Sequence, residues 1–161
     1  KRAGLPIEYR QCAMEDIDFP AGSFDIVLSS LAFHYLASFS PIAEKVSRLL
    51  APGGSFVFSV EHPVFTAYGS QDWYYGDKGE ILHFPVDRYF YEGRREAVFL
   101  GEEVVKYHRT LTTYIKDLLG SGFQIRDLAE PMPPADLLET VPCMKDELRR
   151  PMMLLIAAEK I

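Results

Sequence analysis

The chain has 161 residues, 48% hydrophobic and 25% charged, the proportions of one ordinary globular domain long enough to bury a core. A formal charge of −6 argues against a protein that tracks a phosphate backbone, which would carry a basic stripe. The amino-terminal "KRAGLPIEYRQ" has no apolar leader core, no segment approaches a membrane span, and Cys12 and Cys143 form no CxxC pair; the expectation is a soluble, cytoplasmic protein with two free thiols, a disulfide between them being left open.

"IEYRQC" (7–12) is a short strand candidate, followed by the acidic turn "MEDIDFPAGS". "FDIVLSS" (24–30) is a near-continuous apolar run with β-branched residues, the pattern of a strand buried on both faces of a parallel sheet. In "SPIAEKVSRLL", Ser40 is the expected N-cap and Pro41 the first helical residue, with Ile42, Val46, Leu49 and Leu50 on one face. Pro52-Gly53-Gly54 ends that helix, and "SFVFSV" (55–60) is the next buried strand, so the segment reads as a βαβ unit.

From His62 to about Leu100 the periodicity lapses, and ten of the 21 aromatic residues fall here. Such a segment is either a satellite cluster packed on the domain or a lid over a pocket. Then Leu111, Ile115, Leu118 and Leu119 recur at helical spacing, with Gly120 or Gly122 as the cap. "FQIRDL" is a strand, "PMPPADLLET" and "PCMKDELRR" are a loop with short helical pieces, and "MMLLIAAEK" is a last strand.

Ligands of open α/β sheets bind beyond the carboxyl ends of the strands. Parallel neighbours would therefore bring Ser29, Ser30 and Leu31 together with Glu61 and His62. The alternatives are structural: the serines cap the next helix, and Glu61 and His62 pair with the aromatic segment. His34 and Tyr35 either point into a substrate pocket or pack. His108-Arg109 either binds a carboxylate or phosphate or caps exposed structure. Arg88 is equally consistent with an ion pair to Asp87 or Glu92. The four histidines (34, 62, 83 and 108) make no HxH, HxxxH or HExxH pattern, so no metal is expected.

"MEDIDFPAGSFDIVLSSLAFHYL" followed by "VSRLLAPGGSFVFSVEHP" resembles the central part of a class I S-adenosylmethionine-dependent methyltransferase of the small-molecule branch. The similarity continues through "DRYFYEG", "KYHRTLTTYI" and "RPMMLLIAAEK", and the strand-ending "EHP" is shared with a bacterial subgroup. The resemblance implies an incomplete Rossmann-like α/β fold: parallel core strands, an antiparallel carboxyl-terminal strand pair, and one partial domain over 1–161 with an aromatic insertion or lid at about 62–100. It implies S-adenosylmethionine as cofactor, held by Ala13, Met14 and Glu15 along the adenine and by Ser29, Ser30 and Leu31 along the methionine part. Ala13 stands where a carboxylate often contacts the base, so that contact is lost, made by backbone, or shifted to Glu15. His62 is the expected base or substrate contact, with Glu61 orienting it or binding substrate. His34, Tyr35, Trp73, His108 and Arg109 are the further substrate candidates, for a small-molecule acceptor rather than nucleic acid or membrane.

The family's glycine-rich cofactor loop is not in the sequence; "GSG" at 120–122 follows a helix, the wrong order for such a loop, and reads as a helix C-cap. The expectation is a carboxyl-terminal two-thirds of such an enzyme, binding cofactor weakly or not at all in isolation. Because the family's first two strands lie between its third and fourth, "FDIVLSS" would expose an apolar edge and the chain could form a homodimer through it. The alternative reading is a non-catalytic binding or assembly module of the same fold.

Overall fold

A computed structural model describes residue 4 and residues 6–161. Residues 1–3 and 5 of the stretch read for a leader lie outside the described residues. A four-stranded sheet organises the chain, with β1 (Phe24–Ser30), β2 (Leu50–Glu61), β8 (Met153–Lys160) and β7 (Phe123–Ala129) in that spatial order. β1 and β2 are parallel, whereas β8 runs antiparallel to both β2 and β7. Helix α1 (Ser40–Leu49) joins β1 to β2, and α3 (Leu111–Gly120) precedes β7.

The core forms where α1 and α3 cover one sheet face. Phe56, Phe58 and Val60 alternate inward along β2, and Leu154, Ile156 and Ala158 do the same along β8. Val46 and Ile42 of α1, Leu118 and Tyr114 of α3, and Phe33 and Phe39 between β1 and α1 close over them. Each buried aromatic or branched side chain contributes roughly 1.5–3 kcal/mol of transfer free energy.

Several local features differ from the expectation. Residues 7–12 form no strand: their backbone has no neighbouring strand with which to build a ladder, and they stay exposed. β1 is not buried on both faces, since Ile26 is 65% and Leu28 74% exposed; it lies at the sheet edge with only one face covered. Ser40 is the first helical residue rather than the N-cap, and its hydroxyl donates to Glu44 3.3 Å away. The helix already stops at Leu49, and Ala51–Gly54 bulges out of the start of β2, between the pairs Phe24–Leu50 and Ile26–Ser55. Gly54 is needed there, because a Cβ would meet the Ala51 carbonyl at 2.9 Å and that of Asp25 at 3.1 Å. Gly122, at φ +82°, takes the left-handed step after α3, as the C-cap reading requires.

The aromatic segment is ordered into small pieces: α2 (Pro63–Ala67), the short pair β3 (Tyr74–Tyr75) and β4 (Ile81–His83), and β5 (Gly93–Phe99). β5 pairs antiparallel with β6 (Glu102–His108), so this excursion runs past the expected boundary at 100. β6 packs against α2 and against the turn Phe33–Tyr35 that follows β1, which lays the hairpin over the carboxyl ends of β1 and β2. Beyond β7 come α4 (Ala135–Thr140) and a 3₁₀ run, Pro142–Arg149. Among the described residues no helix is long and apolar enough to cross a membrane, and Cys12 and Cys143 are free and exposed.

Candidate functional site

β1 ends on a strained turn. Leu31 sits at φ +50°, a region that costs a non-glycine residue about 1–3 kcal/mol and recurs at functional sites. Its N–H reaches the Ser59 carbonyl at 3.0 Å and the Ser59 hydroxyl at 3.2 Å, so β2 holds the turn. The neighbouring Ser29 and Ser30 do not cap a helix: the next helical turn, Phe33–Tyr35, has Ala32 at its cap position.

That turn is clamped from above. Arg109 donates to the Phe33 carbonyl at 3.2 Å and to the Leu36 carbonyl, with its guanidinium 5.9 Å from the Tyr114 ring centre. Expected as a ligand for a substrate anion or as an exposed cap, Arg109 is instead buried and engaged with backbone. His108 is also buried. One ring nitrogen, Nε2, donates to the Tyr89 carbonyl at 2.8 Å, which leaves Nδ1 to accept from the Thr66 hydroxyl at 2.8 Å. It latches α2 to the loop before β5, and both ring nitrogens are engaged within the fold.

Glu61 closes β2 inside a polar triangle. Its Oε1 accepts from Lys106 Nζ at 2.6 Å and its Oε2 from Gln71 Nε2 at 2.7 Å, while Lys106 also donates to Gln71 Oε1 at 2.8 Å. The side chains are 12% exposed for Glu61 and 2% for Lys106. Gln71 reaches in from a left-handed backbone position, φ +56°. Sequence reasoning missed both partners. Lys106 had a signal: Val104, Lys106 and His108 share one strand face, so a run that reads as a simple strand turns two ionisable groups inward. Gln71 had none.

Glu61 does not orient His62, because its two oxygens are taken by Gln71 and Lys106. His62 instead caps α2, its Nδ1 accepting from the Val64 N–H at 3.0 Å, and its Nε2 lies 2.8 Å from Glu130 Oε1. The exposed Glu130 carboxylate thereby covers Nε2 from the outside. As a base toward substrate, His62 is badly placed: Nδ1 is occupied and Nε2 is covered. The imidazole beside the Glu61 strand end is His34, whose Nδ1 accepts a long 3.4 Å contact from the Glu61 N–H and whose ring packs on Tyr35 at 4.5 Å. Tyr35 is half-open to solvent. Trp73 stands apart from this group, packed on Phe84 and under the guanidinium of Arg150.

Burial lowers the pKa of His34, His62 and His108 below the ordinary histidine value, with partial opposition from Glu61, Glu130 and the Tyr89 carbonyl respectively. The unfolded chain therefore binds more protons than the folded one as pH falls below about 6.5, and stability declines toward acid in that window. We expect urea midpoints to fall between pH 7 and pH 5, and His108→Gln to flatten the slope. A pH-independent midpoint over that range would show that these rings are not buried in neutral form.

Similarity to known proteins agrees with this geometry. A family model described as a methyltransferase domain matches residues 1–58. The structure of an S-adenosylmethionine-dependent methyltransferase from Mesorhizobium loti superimposes with a TM-score of 0.88 at 37% identity, over 98% of this chain and 71% of that one. A Listeria monocytogenes protein assigned to the same class gives a TM-score of 0.90 at 57% identity, over 95% of this chain and 68% of that one. This chain belongs to the class I S-adenosylmethionine-dependent methyltransferases. An uncharacterised Haemophilus influenzae protein is 33% identical over 145 residues, and the methyltransferase chain described here spans 57% of its length.

The family cofactor can be tested against the residues present. Met14 and Ser29 line one open, largely apolar groove of about 320 Å³ between β1, α1 and the turn Met14–Asp16. Glu15 anchors that turn through its carbonyl, which accepts from Lys45 Nζ, and its carboxylate stays exposed; Ala13 closes the turn through its carbonyl to Asp16 N–H. An adenine ring needs an apolar wall, and an amino-acid moiety needs backbone partners. Met14 and Ser29 line a groove with such an apolar wall, whereas Ser30 and Leu31 do not line it and the Leu31 N–H is already held by Ser59, so only the adenine side of S-adenosylmethionine has a fitting surface here.

Proposed function

We propose that this chain forms the acceptor-binding side of a methyltransferase that moves a methyl group from S-adenosylmethionine to a small molecule held at the carboxyl ends of β1 and β2. The observation that carries the reading is the Glu61–Gln71–Lys106 triangle beside His34, set under the β5–β6 hairpin and next to the left-handed turn at Leu31. When bound, the cofactor supplies an activated methyl group on a sulfonium, so the protein's task is chiefly positioning and exclusion of water. Arg109 fixes the turn that presents His34 and Tyr35. With Nδ1 accepting from backbone, His34 keeps its proton on Nε2 and donates it as a hydrogen bond that orients the acceptor. Lys106 and Gln71 hold the Glu61 carboxylate fixed at the end of β2. The hairpin and aromatic segment act as the lid. His62 and Glu130 serve as a brace for α2 rather than as the base.

A small neutral or compact acceptor is supported by the −6 charge, which disfavours a nucleic-acid polyanion. The two exposed free thiols support a reducing, cytoplasmic setting. The unpaired outer edge of β1, with Ile26 and Leu28 exposed beside it, supports self-association. We expect the 161-residue chain to run as a dimer in light scattering, and a monomer at high concentration would remove the edge from consideration.

The deciding experiment is calorimetry of the intact protein with S-adenosylhomocysteine, followed by His34→Ala and Tyr35→Phe in a methyl-transfer assay. Binding of the product cofactor with loss of turnover in the His34 variant supports the reading. Absence of binding to the intact protein rejects it.

A further inference from the structure

A second site lies at the far end of α2, away from the β1 and β2 ends. A pocket of about 300 Å³ opens between Tyr68, Gly69 and β5, and three guanidinium groups line it: Arg88, Arg94 and Arg95. Glu96 is its one acidic member. Three cations around one small pocket are unexpected on a chain of charge −6.

Arg95 supplies charge while four of its five N–H donors are spent on backbone. Its Nε, Nη1 and Nη2 reach only carbonyls, those of Ala67 at 3.0 Å, Arg94 at 3.1 Å, Arg88 at 3.3 Å and Tyr91 at 2.5 Å. Burial, and then the like charge of Arg88, lower its pKa from the usual arginine value. Neither neighbouring acid contacts the Arg88 guanidinium: each has one oxygen turned to other donors. Asp87 accepts from the Arg88 backbone N–H at 2.8 Å, and Glu92 Oε1 is taken by Thr110 and Thr113. Among the described residues the exposed Arg88 guanidinium makes no ion pair, and its residue is held at φ +58° by a turn whose carbonyl receives Arg95. Arg94 is paired only with Glu96, at 3.2 Å and with both side chains well exposed, an exchangeable contact.

We infer that Arg88, Arg94 and Arg95 form a binding site for a compact oxyanion of one or two phosphate groups, either free or carried on a small molecule. Arg88 and Arg94 provide the planar donor forks that suit phosphate oxygens, and Arg95 provides a fixed positive charge behind them. The pocket's size admits a diphosphate and not a polymer, and the chain's overall negative field works against a nucleic-acid strand. This site stands independently of the methyl-transfer reading.

The test is calorimetric titration of the intact protein with inorganic pyrophosphate and with glycerol 3-phosphate, against sodium chloride at matched ionic strength. We expect saturable pyrophosphate binding that weakens about tenfold or more in Arg88→Gln and in Arg94→Gln. Arg126→Gln, which disrupts a surface pair on β7, should leave it unchanged. Tighter binding of free pyrophosphate than of the ester assigns the site to a free anion, and the reverse assigns it to a group carried by an organic ligand. No saturable binding beyond the chloride control overturns the inference, as does binding that survives both pocket variants or that occurs only with an oligonucleotide. S-adenosylhomocysteine titrated into the same samples separates the two proposals: retained cofactor binding without anion binding sinks only this one.

Discussion

Replacing Lys106 by Met is expected to destabilise the protein by about 3–5 kcal/mol, the cost of leaving a buried charge without its partner. Lys106 is fully enclosed, and its Nζ lies between Glu61 Oε1, Gln71 Oε1 and the face of Phe99, whose ring centre is 5.3 Å away. Without it, the Glu61 carboxylate keeps only the Gln71 amide in a water-poor setting. The double variant Glu61→Gln/Lys106→Met removes both charges and should recover most of the stability, giving a large coupling in a double-mutant cycle. Urea denaturation of the four proteins measures it. A single Lys106→Met variant within 1 kcal/mol of the parent, by the same cycle logic, would show that the ion pair is not enclosed.

The second large effect is expected at Arg109. Arg109→Ala leaves the Leu36 carbonyl without its side-chain donor, at a cost of about 1–3 kcal/mol for a buried group, and leaves the Phe33 carbonyl only the Leu36 N–H at 3.2 Å. Arg109→Lys should rescue little, since one ammonium on a flexible stem does not reproduce a planar fork spanning two carbonyls. The functional consequence is larger than the thermodynamic one. The clamped turn presents His34 and Tyr35, and a misplacement of about 1 Å can cost on the order of 100-fold in rate. Turnover in Arg109→Lys should therefore drop while S-adenosylhomocysteine affinity is retained. Equal loss of both would mean that the turn serves the cofactor side.

The contrast between Arg109 and Arg88 shows where sequence reading stops. From the sequence Arg109 reads as an anion ligand or an exposed cap, and Arg88 as a partner for Asp87 or Glu92. In the fold Arg109 is enclosed and bonded to backbone, whereas Arg88 is exposed and makes no ion pair among the described residues. Neither fact has a one-dimensional signature, because each depends on chain segments tens of residues away. The same holds at the end of β2. Glu61 and His62 were rightly placed at a strand's carboxyl end, yet Glu61 closes the strand while His62 leaves it to cap α2, and their partners Lys106 and Glu130 come from a hairpin and from the residue after β7.

By itself, the sequence determined the βαβ unit over 24–61, α3 and its glycine cap, the closing strands at 123–129 and 153–160, and the family to which they belong. Those features depend on local periodicity and turn chemistry, which a short window contains in full. Only the tertiary structure decided that residues 7–12 form no strand, that β1 keeps an open face, and that the aromatic segment folds back as a hairpin over the strand ends. It also decided that the ring packed against the end of β2 is that of His34, while His62 caps α2. Ladder pairing, burial and ion-pair choice are properties of neighbours in space, and a residue's neighbours in space are set only once the whole chain has packed.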